Sequence, residues 1–351
     1  EPNPIRMTRE TGGKVAVSRV GLPSLNELWR RTYKVAPFFG FDLRAIASNE
    51  MLRLAISGNL AGSELLPNDL TNPRTVLLTI DASGAEIGRA SLEVEGNVAI
   101  RSLSISKNGK LALTGSIYNI PQGVPVMVAD NEVASRGAVI IQCDGSGTVL
   151  TNFNYATLPM KRQPGSMHAE TVAWLDDRHL ILGGAFLGIA DFAGNRIQFP
   201  QRGIHQGFFA TVDSASGLMK KFTVSYASNR MIASAVVHKK GNIFALVIER
   251  FKPDYRVVDS IDGGRVVLPL PRHPQKNFSR MLVAEYSPSL ELIAETEFAR
   301  SRFPFFRLGQ TMIQSDEGFL ILVNLPYDTT VTGKQFVQRD GNPVQAVLRV
   351  R

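Results

Sequence analysis

The side chains in this sequence that could do chemistry are mainly basic, and they gather in a few polar links. The longest link, 248–280, carries Arg250, Lys252, Arg256, Arg265, Arg272, His273 and Lys276, with Glu249, Asp254, Asp259 and Asp262 among them. Other links add His168, Arg196, Arg202 and His205. Guanidinium and ammonium groups on one face hold carboxylates, sulfates or phosphates through charge-assisted hydrogen bonds. Spread singly over loops, the same residues are ordinary solvated charge. These residues form the candidate binding set.

Other chemistries find less support. The histidines are His168, His179, His205, His238 and His273, and no two have helical or short-loop ligand spacing. No metal site is therefore expected, and no motif asks for a cofactor. Asp176-Asp177 and Asp144-Gly-Ser-Gly147 fall where turns are expected, and turn chemistry accounts for both. Carboxylates that could serve glycoside chemistry are Asp42, Glu170 and Asp328, each near a strand start or link. Cys143 ends an apolar run and reads as a small core residue.

Composition bounds these readings. The 351 residues are 44% hydrophobic and 20% charged, which fits a folded chain and excludes collagen-like or disordered classes. A net charge of +8 favours acidic partners: an acidic protein face, anionic glycan or lipid headgroups. No dense Lys/Arg run exists, and nucleic acid is not the expected partner. One cysteine forbids an intrachain disulfide. No apolar stretch of about 18 residues predicts a membrane span. The opening Glu1-Pro2-Asn3-Pro4, without Met, suggests processing. The expected location is periplasmic or extracellular.

Positioning such residues falls to a repeat. One recurring segment is a hairpin whose second arm is short and apolar: 46–58, 103–115, 172–184, 235–247 and 312–323. Asn108-Gly109 supplies the positive-φ residues that tight hairpins need. A second segment is strand, polar turn, strand. Its turns are Asp81–Gly84, Asp144–Gly147, Asp213–Gly217 and Ser287–Leu290, with a diverged copy at 15–33. The two kinds alternate. Gly58, Gly115 and Gly184 lie 57 and 69 residues apart, a period that suits a four-stranded unit with one long loop.

The expected architecture is all-β: a single β-propeller domain over 1–351, with about five four-stranded blades. The repeats run approximately 42–94, 99–156, 169–226, 231–298 and 308–351, after an N-terminal extension at 1–14. The last repeat lacks a fourth strand, and 25–33 is expected to supply it, closing the ring and removing free sheet edges. The pattern of apolar strand, Asp-x-x-Gly turn, strand and x-Asn-Gly-x-Leu-x-Leu-x-Gly resembles bacterial β-propeller repeat families of secreted and cell-surface proteins. Lys107–Gly115 and Ile80–Gly84 carry it best. The resemblance implies architecture and export, and transfers no catalytic residue.

In such units the short turns share one face and the long links share the other. Scaffolded loops concentrate binding residues, so the long-link face is the candidate functional face. Pro37–Phe41 and Phe303–Phe306 recur in equivalent links and suggest aromatic packing between units. The expected function is a non-enzymatic binding or scaffold protein with a protein partner in a larger assembly. The alternatives are a carbohydrate-active enzyme and an anionic-polysaccharide binder.

Overall fold

The computed structural model describes residues 5–10, 13–21, 26–34, 41–48, 51–58, 74–92, 94–95, 98–117, 126–128, 131–133, 137–158, 165–192, 195–198, 206–225, 230–237, 241–249, 255–258, 265–267, 279–301, 311–315, 318–325, 329–331, 334–336 and 344–350. Regular structure among them is all β, with 31 strands and no helix. No described helix is long and apolar enough to cross a membrane. The chain divides into two compact units, Glu1–Asn154 and Tyr155–Arg351.

The first unit opens with a three-stranded antiparallel sheet of Ile5–Glu10, Lys14–Val20 and Glu27–Lys34, with Lys14–Val20 in the middle. The segment read as an extension thus contributes a strand. The strand expected to complete the last repeat also belongs here. Glu27–Lys34 has its described ladder with Lys14–Val20, setting Arg31 opposite Val17. The reason lies in its side chains. Trp29, Arg31 and Tyr33 meet Gly84 and Glu86 in the following sheet, as the last strand of a preceding unit would.

That following sheet, the first with four strands, contains Phe41–Ser48, Met51–Gly58, Arg74–Ile80 and Glu86–Leu92. The second contains Val98–Ile105, Leu111–Ile117, Gly137–Cys143 and Val149–Leu158, the last of which belongs to the second unit from Tyr155 onward. Strand alternation lets one strand feed two cores. Leu52, Leu54 and Ile56 join Val15, Val17 and Tyr33 on one face, while Ala55 and Leu77 join Ile100, Leu113 and Ile141 on the other. Leu111–Ile117 and Gly137–Cys143 are buried at every position, as expected of strands covered on both faces.

The second unit repeats the plan. Its first sheet combines Ser166–Trp174, His179–Leu187, Gln206–Asp213 and Met219–Ser225. The next combines Arg230–Val237, Ile243–Glu249, Ser279–Tyr286 and Leu292–Ser301. The last has three strands, Thr311–Ser315, Gly318–Leu325 and the C-terminal Val344–Val350. Ile181, Phe209, Ile243 and Leu282 form one intersheet core; Leu246, Met281, Met312 and Ile321 form the next.

One turn type recurs between third and fourth strands. The Asp81 carboxylate accepts from the Ser83 and Ala85 amides and the Ser83 hydroxyl at 2.7–2.9 Å. Asp144 does the same with Ser146 and Thr148. Asp213 accepts from Ala215 and Ser216. Gly84, Gly147 and Gly217 then take φ of 88°, 96° and 69°. In the fourth copy Ser287 Oγ accepts from the Ser289 and Glu291 amides, and Leu290 takes the left-handed position at φ 66°.

Neighbouring sheets are stitched at this turn. Arg31 Nε donates to the Gly84 carbonyl, Tyr155 Oη to that of Gly217 at 2.9 Å, and Thr223 Oγ1 to that of Leu290 at 3.1 Å. A second set of stitches reaches the first strands. The Ile100 amide donates to Ser57 Oγ, that of Ala235 to Thr171 Oγ1 and that of Met312 to Ser234 Oγ.

Candidate functional site

The long links do not run as plain loops. In the first unit, Val126–Val128 and Asn131–Val133 form a hairpin that pairs with Val94–Glu95, just beyond the fourth strand of the preceding sheet. In the second unit, the hairpin Ile189–Phe192/Asn195–Gln198 pairs with Ala156, Thr157 and Leu158. Tyr255–Val258 pairs with Phe222–Ser225. Thr329–Val331, hairpinned to Lys334–Phe336, pairs with Ala299–Ser301. Each of these four links therefore folds back beside the end of the preceding repeat, covering backbone that would otherwise be an open edge. The first long link, 59–73, lies outside the described residues.

Phe192 anchors one of these hairpins. It is wholly buried, with ring centroids 4.8 Å from Phe222, 5.3 Å from Phe208 and 5.8 Å from Tyr155. Tilted and edge-on pairs of this kind add to the area they bury. Ion pairs hold the base of the longest link. Glu249, the last strand residue before it, is fully buried, and Arg280 lies opposite it on the returning strand. Arg280 Nε donates to Glu249 Oε2 at 2.5 Å, and its Nη1 reaches Glu297 Oε2 at 3.4 Å. Arg300 donates twice to Glu297, at 2.7 and 2.9 Å. Burial alone would raise the Glu297 carboxyl, but Arg300 and Arg280 outweigh it and hold the group below its ordinary range.

The expected binding residues fall into three classes. Arg250, Lys252, Arg272, His273, Lys276, Arg202 and His205 lie outside the described residues, as do Asp328 and the aromatic segments 37–40 and 303–306. For Arg196, Arg256, Arg265 and the carboxylate candidate Asp42, the backbone alone is described, and all are in strands. Arg256 sits opposite Val224. Arg265–Val267 runs parallel to Asn195–Gln198 and sets Arg265 directly opposite Arg196. Two residues far apart in sequence, both expected in the site, thus meet at one register position. His168 belongs to the first strand of the second unit's first sheet, opposite Ala185. Its carbonyl comes so close to Gly184 that a Cβ there would not fit, which explains that glycine of the repeat.

Glu170 is buried at a β-bulge between Ala169 and Thr171. Register shifts recur between Thr114 and Gly115 opposite Arg101, and between Ile232 and Ser234 around Ala233. Since the position also takes arginine and alanine, the bulge is a feature of the repeat and not of a carboxylate site. The Cys143 thiol is buried and pushed up to about 12 by that burial, so it stays protonated and inert. Asp176 accepts from the Arg178 and His179 amides and faces His179 Nδ1 at 2.9 Å across an exposed hairpin turn. Among the described residues, no group of three or more His, Cys, Asp or Glu side chains is placed to hold a metal.

No known protein family matches the chain, and no curated protein does. Some solved structures can be aligned with it at low similarity. A Dyadobacter fermentans protein of unknown function is 9% identical, with a TM-score of 0.44 over 90% of this chain and 84% of that one. A variant of the Synechocystis apocarotenoid oxygenase is 13% identical, with a TM-score of 0.43 over 96% and 71%. A member of the DUF4221 family from Bacteroides vulgatus is 11% identical, with a TM-score of 0.29 over the whole of both chains. None of these likenesses gives this chain a family or an activity.

Proposed function

We propose that the stacked sheets are propeller blades and that the chain is a non-enzymatic binding or scaffold protein. It acts in the periplasm or outside the cell and presents its long-link face to a protein partner with an acidic surface. The observation that carries this reading is the parallel pairing of Arg196 with Arg265. Like charges at directly opposed positions repel, and an anionic partner turns that cost into affinity. Described parts of two of these links are also anchored beforehand. Phe192 buries one hairpin, and the Glu249–Arg280 pair closes the base of the longest link. Preorganised loops lose less ordering entropy on binding.

The test is charge reversal of Arg196 and Arg265 together, read by partner capture and by the salt dependence of binding. The reading expects the double variant to fold normally and to lose the partner. Binding that is indifferent to salt and to the reversal would remove the electrostatic basis of the proposal.

A further inference from the structure

A separate site lies at the other end of the first unit, where the short turns are. A groove of about 300 Å³ opens between the first and second four-stranded sheets, lined by Met51, Arg53, Ile87, Gly88, Ala90 and the turn at Gly147. Its origin is local. Arg53, Thr79 and Gly88 occupy one cross-strand row, and Gly88 puts no side chain into it. The left-handed Gly147 brings the next sheet's turn in so closely that a Cβ there would fall 2.7 Å from that of Ala90. The groove is thus walled by backbone and small residues on one side and by side chains on the other.

Its chemistry is mixed in a specific way. Met51 is 36% exposed and Ile87 56%, so both leave apolar surface in water. Two arginines belong to its lining, Arg53 on the groove-side row and Arg89 one register position away, opposite Leu78. Arg89 is neutralised by Glu86, with Nε on Oε1 at 2.7 Å and Nη2 on Oε2 at 3.0 Å. Arg53 donates to the Thr79 hydroxyl and has no carboxylate partner among the described residues. Among the described residues the groove therefore keeps one positive charge without a carboxylate partner, beside exposed apolar surface. Its volume sits at the lower end of the range for small-molecule sites, below what a macromolecular surface fills.

We propose that this groove binds a small organic monoanion with an apolar body, such as an aromatic or short-chain carboxylate. The carboxylate pairs with Arg53, and the apolar body covers Met51 and Ile87. The probe is 2-naphthoate, titrated into the full chain and followed by calorimetry, with neutral 2-naphthalenemethanol as its uncharged counterpart. Saturable 1:1 binding of 2-naphthoate is expected. Arg53→Met should weaken it about tenfold or more, the worth of a hydrogen bond to a charged group, and leave the alcohol unchanged. Gly88→Leu, which fills the groove at a strand position with room for a side chain, should remove both ligands while the thermal transition stays cooperative. Absence of saturable 2-naphthoate binding to the unaltered protein would overturn the site. So would equal affinity in Arg53→Met, or unchanged binding in Gly88→Leu.

Discussion

Replacing Leu290 sets two opposing effects against each other. Leu290 holds φ at 66°, the position that glycine fills at 84, 147 and 217. Holding a side-chain-bearing residue there costs about 1–2 kcal/mol. Glycine would relieve this but lose about 0.5–1 kcal/mol through its freer unfolded chain, so the net backbone gain lies between zero and about 1.5 kcal/mol. Against it stands the side chain, 1% exposed and packed in the core with Tyr286, Ile243 and Phe209. Removing a buried leucine side chain costs about 3–5 kcal/mol. Leu290→Gly should therefore destabilise by about 1.5–5 kcal/mol, read from urea unfolding midpoints at constant m. Leu290→Ala loses the same packing and keeps the backbone strain. It should be less stable than the glycine variant by up to about 1.5 kcal/mol, the reverse of the order seen within regular strands and helices. A neutral Leu290→Gly, or an alanine variant more stable than the glycine one, would refute the reasoning.

Further outcomes follow from the same structure. Arg280→Met strands the buried Glu249 carboxylate and should cost about 3–5 kcal/mol, much of it regained in the double variant with Glu249→Leu, as a double-mutant cycle would measure. Phe192→Ala should cost about 3–5 kcal/mol if its hairpin unfolds with the protein. If the hairpin detaches by itself, rapid proteolysis near 193–194 should appear instead. The turn carboxylates Asp81, Asp144 and Asp213 all lie below the ordinary value of 3.8; a hydroxyl and amides hold the charged form in each. Their stabilisation is present at neutral pH and is lost as pH falls from about 3.8 towards the folded-state values. Asn at these positions should flatten unfolding curves measured between pH 5 and pH 2.

Much of this fold is written locally in the chain. The Asp-x-x-Gly turns encode their geometry in adjacent residues, and the hairpins and strand pairs stand where the pattern puts them. At Asn108-Gly109 the expected pair of positive-φ residues is reduced to Gly109 alone, at φ 78°, in a longer turn closed by the Ser106 amide on the Lys110 carbonyl. Leu290 escaped the pattern because its turn is kept by the Ser287 hydroxyl and repaid by core packing, not by glycine. Ile5–Glu10 has only Ile5 and Met7 as apolar residues, too few for alternation to register despite the Gly12-Gly13 turn signal beside it. The link strands were not legible. Segments such as Ile189–Phe192 and Arg265–Val267 are too short for periodicity to register. Their partners also lie in another repeat or another link, so no local signal specifies the ladder. For that reason the basic residues were foreseen as loop residues, while the opposition of Arg196 and Arg265 came only from the pairing.

The most direct test of the binding reading is affinity capture from the native source at physiological salt, run in parallel with the unaltered protein and with Arg196→Glu/Arg265→Glu. The account predicts one stoichiometric protein with an acidic surface, retained by the first and absent from the second, and eluted by added salt. Recovery of no stoichiometric partner, or equal retention by both proteins, would contradict it.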